Sequence, residues 1–108
     1  MTRTREEIRE ELLRLKAKYG RLFHDVEALL FRHDPIGINS EINPDEYAPE
    51  VGTILPRLHE CNSSEDVLTV VHEEFVRWFG EATAGPKEHY AAIAAEICAH
   101  WQDHYSSL

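Results

Sequence analysis

HDPIGINSEINPDEYAPEVGTILPRL, His33 to Leu58, is the stretch that decides how the rest of the chain is arranged. It holds four of the five prolines, and five carboxylates (Asp34, Glu41, Asp45, Glu46, Glu50) against the single base Arg57. Prolines spaced this way interrupt a long helix and a central strand alike, so the stretch reads as a connector built of turns and short helices. Asp34-Pro35 ends the preceding helix, because the residue before proline is pushed away from helical angles. Asn43-Pro44-Asp45-Glu46 reads as a turn with Asn43 as cap and Pro44 in its first position. Pro49 opens a second helix running to about Cys61, with Val51, Ile54, Leu55 and Leu58 on one stripe. Pro56 is expected to bend that helix, and Gly52 leaves room for its ring.

On the N-terminal side, apolar residues recur at Ile8, Leu12, Leu15, Tyr19, Leu22, Val26 and Leu29, a heptad pattern that predicts one helix over 4–32 with a kink at Tyr19-Gly20. Thr4 is its hydroxyl cap, followed by Glu6 and Glu7 in the first turn. Residues 1–20 form a candidate helical extension, and the seam leaves monomer and homodimer both open. On the C-terminal side, Ser63 with Asp66, or Ser64 with the carboxylates that follow it, marks the cap of a helix over about 64–79, with Leu68, Val71, Phe75 and Trp78/Phe79 on its inner face and Gly80 as its stop. Ala82-Thr83-Ala84-Gly85 reads as a linker. Pro86 then starts a last helix to about Tyr105, facing inward through Tyr90, Ile93, Ala94, Ile97, Trp101 and Tyr105. The expected architecture is all-α: a single-domain bundle of about four helices over 1–108, with a Pro-rich acidic connector between helices 1 and 2.

Charge narrows the function. The chain carries 11 Lys and Arg against 20 Asp and Glu, a net −9. Residues 1–33 hold eight bases and six acids, whereas residues 34–74 hold ten acids against Arg57 alone. Nucleic acid is a poor partner for such a surface, since phosphate contacts need lysine and arginine. A basic protein fits better. No apolar run is long enough to span a bilayer and no secretory h-region is visible at the N-terminus. Cys61 and Cys98 lack metal-site spacing and read as reduced thiols, so the expected location is cytoplasmic.

Four groupings are candidates for chemistry. His100 and His104 share a helix face at the spacing zinc uses, and H-x-x-D-H approximates an inverted zinc-hydrolase motif; the third ligand would come from His72, His89 or Glu96. The connector's oxygens do not follow the calcium-loop order, and Asn43 and Asp45 fit turn chemistry better. Cys61 has His59 and His72-Glu73 nearby, but it sits at a helix C-terminus, where the dipole disfavours a thiolate. Phe75, Trp78, Phe79 and Trp101 have core spacing. Tyr47, among carboxylates, either plugs the bundle or stands exposed as an anchor, with the plug preferred. No glycine-rich phosphate loop or nucleophile motif is present, so no cofactor is expected and enzyme activity is disfavoured.

The words DPIGI (Asp34–Ile38), NPDEY (Asn43–Tyr47), PEV (Pro49–Val51), ILPRL (Ile54–Leu58) and VHEEFVRWFG (Val71–Gly80) resemble a group of small uncharacterised bacterial proteins, a domain of unknown function, over about residues 22–80. The resemblance implies a compact helical fold and no activity. The group's usual aspartate before the PEV proline is Ala48 here, which removes a candidate N-cap. In composition the chain is similar to immunity and antitoxin proteins. The leading expectation is a non-enzymatic module that presents Asp34, Glu41, Asp45, Glu46, Tyr47 and Glu50 to a basic partner protein; the alternatives are a metal-dependent hydrolase using His100 and His104, and a structural homodimer through the N-terminal heptad.

Overall fold

The computed structural model describes residues 4–37 and 47–106. These residues form α1 (Arg5–Tyr19), α2 (Arg21–His33), α3 (Ala48–Ile54), a 3₁₀ turn over Leu55–Glu60, α4 (Ser64–Phe79), α5 (Glu81–Ala84), a second 3₁₀ turn over Lys87–Tyr90, and α6 (Ala91–Ser106), with no strand among the described residues. The all-α class stands, while the expected four helices become six. Each added break has a local cause.

The first is Gly20. Its φ of 56° and ψ of −125° separate α1 from α2, a conformation that side-chain-bearing residues rarely adopt. The heptad nevertheless reads through the break, because Tyr19 and Leu22 both enter the core. Thr4 Oγ1 accepts the Glu7 amide at 3.1 Å, as the hydroxyl cap requires. α2 stops at Asp34, whose φ of 47° is left-handed and whose N–H returns to the Leu30 carbonyl at 2.8 Å.

The second concerns Pro56, which does not bend a longer α-helix. α3 ends at Ile54, and the chain tightens into the 3₁₀ turn with the proline in its opening positions. Pro56 has no N–H to return to the Gly52 carbonyl, and the first residues of a new turn need none. Gly52 serves a different neighbour from the one expected. A Cβ there would lie 2.9 Å from Leu12 Cδ2 and 3.3 Å from Leu15 Cδ1, so bare backbone lets α1 lie on α3. Residues 5–19 therefore pack along the body, and the principal extents of 34 × 32 × 31 Å are nearly equal; a free 15-residue helix would add about 22 Å to one of them. Position 48, where the resemblance puts a capping aspartate, lies inside α3, and Ala48 is buried there.

α4 begins as its sequence demands. Ser63 Oγ accepts the Asp66 amide at 3.2 Å, and Asp66 Oδ2 accepts the Asn62 amide at 2.9 Å, the reciprocal logic of a capping box. Its buried face is Val67, Val70, Val71, Glu74 and Phe75, rotated from the one expected, so that Leu68 is only partly covered and Trp78 is exposed. The expected linker after Gly80 curls into α5. Pro86 is extended (φ −73°, ψ 157°) and precedes the second 3₁₀ turn, so it does not open α6 itself. Tyr90 ties the region down: its hydroxyl donates to the Ala84 carbonyl at 2.5 Å, and burial pushes its pKa up to about 12.

A single cluster of buried side chains joins all these elements. α4 packs on α6, α2 crosses α6, and α3 fills the centre with Val51 and Ile54 fully buried. Arg32 and His33 of α2 both reach Glu96 on α6, and His89 donates to the Pro35 carbonyl at 2.9 Å. Gly20→Ala is expected to lower stability by about 1–2 kcal/mol, the cost of a side chain at a strained positive φ, with space at the site unlimiting because nothing lies within 4 Å of the added Cβ. Urea unfolding checks it; unchanged stability would show that the break between α1 and α2 does not depend on glycine.

Candidate functional site

The connector residues expected to face a partner divide into two sets. Glu41, Asp45 and Glu46 lie outside the described residues. Asp34, Tyr47 and Glu50 lie within them, and the first two build a closed joint. The Tyr47 hydroxyl donates to Asp34 Oδ1 at 2.7 Å and accepts the Ile36 amide at 3.2 Å. Its ring is fully buried, 6.0 Å from that of Phe75. Glu50, in the first turn of α3, is 4% exposed. Tyr47 is therefore the plug and not an exposed anchor, and neither Tyr47 nor Glu50 stands at the surface in this structure. The physical reason is proximity: the left-handed Asp34 ends α2 directly beside the start of α3, so a buried tyrosine there needs a hydrogen-bond acceptor and finds it.

The metal set is not brought together. His100 Nδ1 lies 3.8 Å from Asp25 Oδ2, and the His104 ring meets the edge of Tyr105 at 4.9 Å. The upstream candidates bond elsewhere: His72 donates to the Gly85 carbonyl at 3.0 Å, His89 to that of Pro35, and Glu96 holds Arg32 and His33. Among the described residues no group of three His, Cys, Asp or Glu side chains is placed to hold a metal. The Cys61 thiol is pushed up by burial, with Asp66 adding to the shift. Its neighbour in sequence, His59, is hydrogen-bonded to the Tyr19 hydroxyl at 2.9 Å and packs edge-on against Trp101 at 4.9 Å. Both cysteines are free thiols and border one surface groove, and the arrangement supplies no activated nucleophile.

The groups sequence reasoning missed lie on the other side of α3. A groove of about 610 Å³ runs between α1, α3 and α4, walled by Ile8, Leu12, Leu15, Pro56 and Trp78. Trp78 was expected in the core; instead it is 41% exposed and its indole N–H donates to Thr53 Oγ1 at 3.0 Å, which holds the ring along the wall. Under the groove lies Glu74, fully buried. Arg57 reaches Glu74 Oε2 at 2.8 Å with one nitrogen and Glu73 Oε1 at 2.7 Å with the other. Arg77 Nη1 stands 3.7 Å from the same Glu74 oxygen. The hydrogen bond from Arg57 is the main cause that lowers the Glu73 pKa, and that bond in turn raises the Arg57 pKa. Two signals could have found this cluster. Glu74 follows Val70 and Val71 at helical spacing, where an apolar residue belongs, and Arg57 is the one base among ten acids. A second, shallower groove of about 400 Å³ flanks the opposite side of α1, where Arg9, Leu13 and Lys16 approach Pro49.

Compared with family models, with curated proteins and with solved structures, the chain matches none. Among the described residues no helix is long and apolar enough to cross a membrane.

Two outcomes follow from these contacts. Tyr47→Phe is expected to cost about 1–2 kcal/mol, because it strips the joint of the hydroxyl that bonds both Asp34 and the Ile36 amide; urea unfolding reads it, and a neutral change would remove the joint from the account. Glu73 is held low by Arg57, and Glu96 by the hydrogen bond from His33. Both carboxyls bind their proton less readily folded than unfolded, so their contribution is complete above the ordinary glutamate value of about 4.3. It is lost as pH falls through the lowered values. The Glu73→Gln/Glu96→Gln variant should show a flatter loss of stability on acidification than the parent protein, measured by thermal melts across that range.

Proposed function

We propose that the chain is a non-enzymatic, acidic helical module that binds a basic partner protein, as an immunity- or antitoxin-type inhibitor does, within the group of small bacterial helical proteins whose sequence words it carries. One observation carries the proposal: the single base of residues 34–74, Arg57, is committed internally to Glu73 and Glu74. Ten acids against that one base make this segment negative, with Glu60, Glu65 and Asp66 exposed around the start of α4 and Lys87 3.5 Å from Glu65. The proposed contact face takes in this end of α4 together with the connector acids Glu41, Asp45 and Glu46, which lie outside the described residues. A surface of one sign speeds encounter with an oppositely charged partner and is screened by salt. The two free thiols fit a reducing, cytoplasmic setting.

The test compares the parent protein with Glu60→Lys/Glu65→Lys, both at exposed positions, as immobilised baits at low and raised salt. A basic protein retained by the parent, released by salt and not retained by the variant is the expected result. Equal retention by both baits, or retention indifferent to salt, overturns the proposal.

A further inference from the structure

α1 carries a large apolar side chain that its own fold does not use. Leu12 and Leu15 pack against the core, whereas Leu13 between them is 60% exposed. A lone exposed leucine is ordinary. This one stands in a groove of about 400 Å³ together with Ile8, Leu12 and Pro49, and Ile8 and Leu12 also wall the larger groove on the other flank. The outer side of α1 is thus a helix face with an apolar groove on one flank and, on the other, a mixed one that Arg9 and Lys16 also line.

The charges of α1 say what covers it. All four of its acids (Glu6, Glu7, Glu10, Glu11) lie in residues 5–11, beside two arginines; residues 12–19 carry Arg14, Lys16 and Lys18 and no acid. A uniformly basic partner is repelled by the second half and a uniformly acidic one by the first. A helix with the same polarity laid antiparallel satisfies both halves, and a second copy of α1 is such a helix. Glu10 and Lys16 lie three residues before and after Leu13, on the same helix face.

We infer that two copies of the chain associate through this face, their α1 helices antiparallel about a two-fold axis at Leu13. In that register Leu13 meets Leu13 of the second copy, and Glu10 of each copy lies opposite Lys16 of the other. A parallel pairing would set Glu10 on Glu10 and Lys16 on Lys16. Antiparallel packing also aligns the helix dipoles favourably. The contact is isologous, so it closes at two copies and builds no filament. One helix face per copy puts the contact at the small end of specific interfaces, which means a dimer that forms with rising concentration. The acidic end of α4 takes no part, so this inference is independent of the proposed partner.

Sedimentation velocity on the untagged full chain over a concentration series tests it. The expected result is a reversible monomer–dimer equilibrium. Leu13→Glu, at an exposed position, should weaken it by roughly tenfold or more with an unchanged circular dichroism spectrum. Glu10→Lys alone and Lys16→Glu alone should each weaken self-association, and mixing the two variants should restore a dimer, because the mixture re-forms both opposite-charge contacts. A chain that stays monomeric throughout overturns the inference, as does a dimer indifferent to Leu13→Glu. Two charge variants that fail to pair when mixed overturn the antiparallel register.

Discussion

The Tyr47 hydroxyl, shared between the Asp34 carboxylate and the Ile36 amide, is the contact on which the arrangement of this chain depends. It joins the end of α2 to the start of α3, two points separated in sequence by the proline-bearing connector. A fully buried phenol must find partners for its polar end, and here the partner is a carboxylate held in place by a left-handed turn. With that joint closed, α3 and the 3₁₀ turn after it are fixed in the centre of the molecule, where Val51, Ile54, Leu55 and Leu58 are fully buried. Gly52 on the same helix then receives Leu12 and Leu15, and α1 is brought onto the body. The order of dependence runs from one hydroxyl to the placement of three helices.

The second organising element is electrostatic. Glu74 is a charge in a place meant for an apolar side chain, and it is tolerated because Arg57 compensates it at 2.8 Å. Burying a carboxylate without such a partner would be far more costly than the pair gains. The consequence reaches the surface. Arg57 is shared between the buried Glu74 and the exposed Glu73, so one guanidinium offsets an acid of the core and an acid of the surface together. The groove over this pair, with Trp78 on its wall, and the exposed Leu13 on the other flank of α1 leave apolar surface outside the core. One chain thereby carries two faces of different chemistry.

Much of this was legible beforehand. The Ser63–Asp66 cap, the run of α4 to Phe79 and its stop at Gly80 follow from side-chain chemistry acting over four residues or fewer, and they appear where expected. So does the end of α2 at Asp34. Glycine at 20 announced a weakness, but whether it bends a helix or parts it depends on what each half packs against. The same holds for Pro56, which could kink a helix or begin a new turn, and for Tyr47, which could serve as plug or anchor. Trp78 and Glu74 exchanged the places their polarity suggested, because the α4 face is set by where α3 and α6 meet it and not by the apolar count along its own sequence.

Composition and local pattern determined the class of the molecule: helical, acidic, and lacking the motifs of phosphate binding or nucleophilic catalysis. They also located most helix ends, since caps, glycines and prolines act through neighbouring backbone groups. Tertiary structure alone decided which acids are internal, which base offsets them, and which apolar residues are left outside. Those outcomes depend on contacts between residues such as Tyr47 and Asp34, 13 positions apart, or Arg57 and Glu74, 17 apart. Pairings over such distances exist only after the helices have packed.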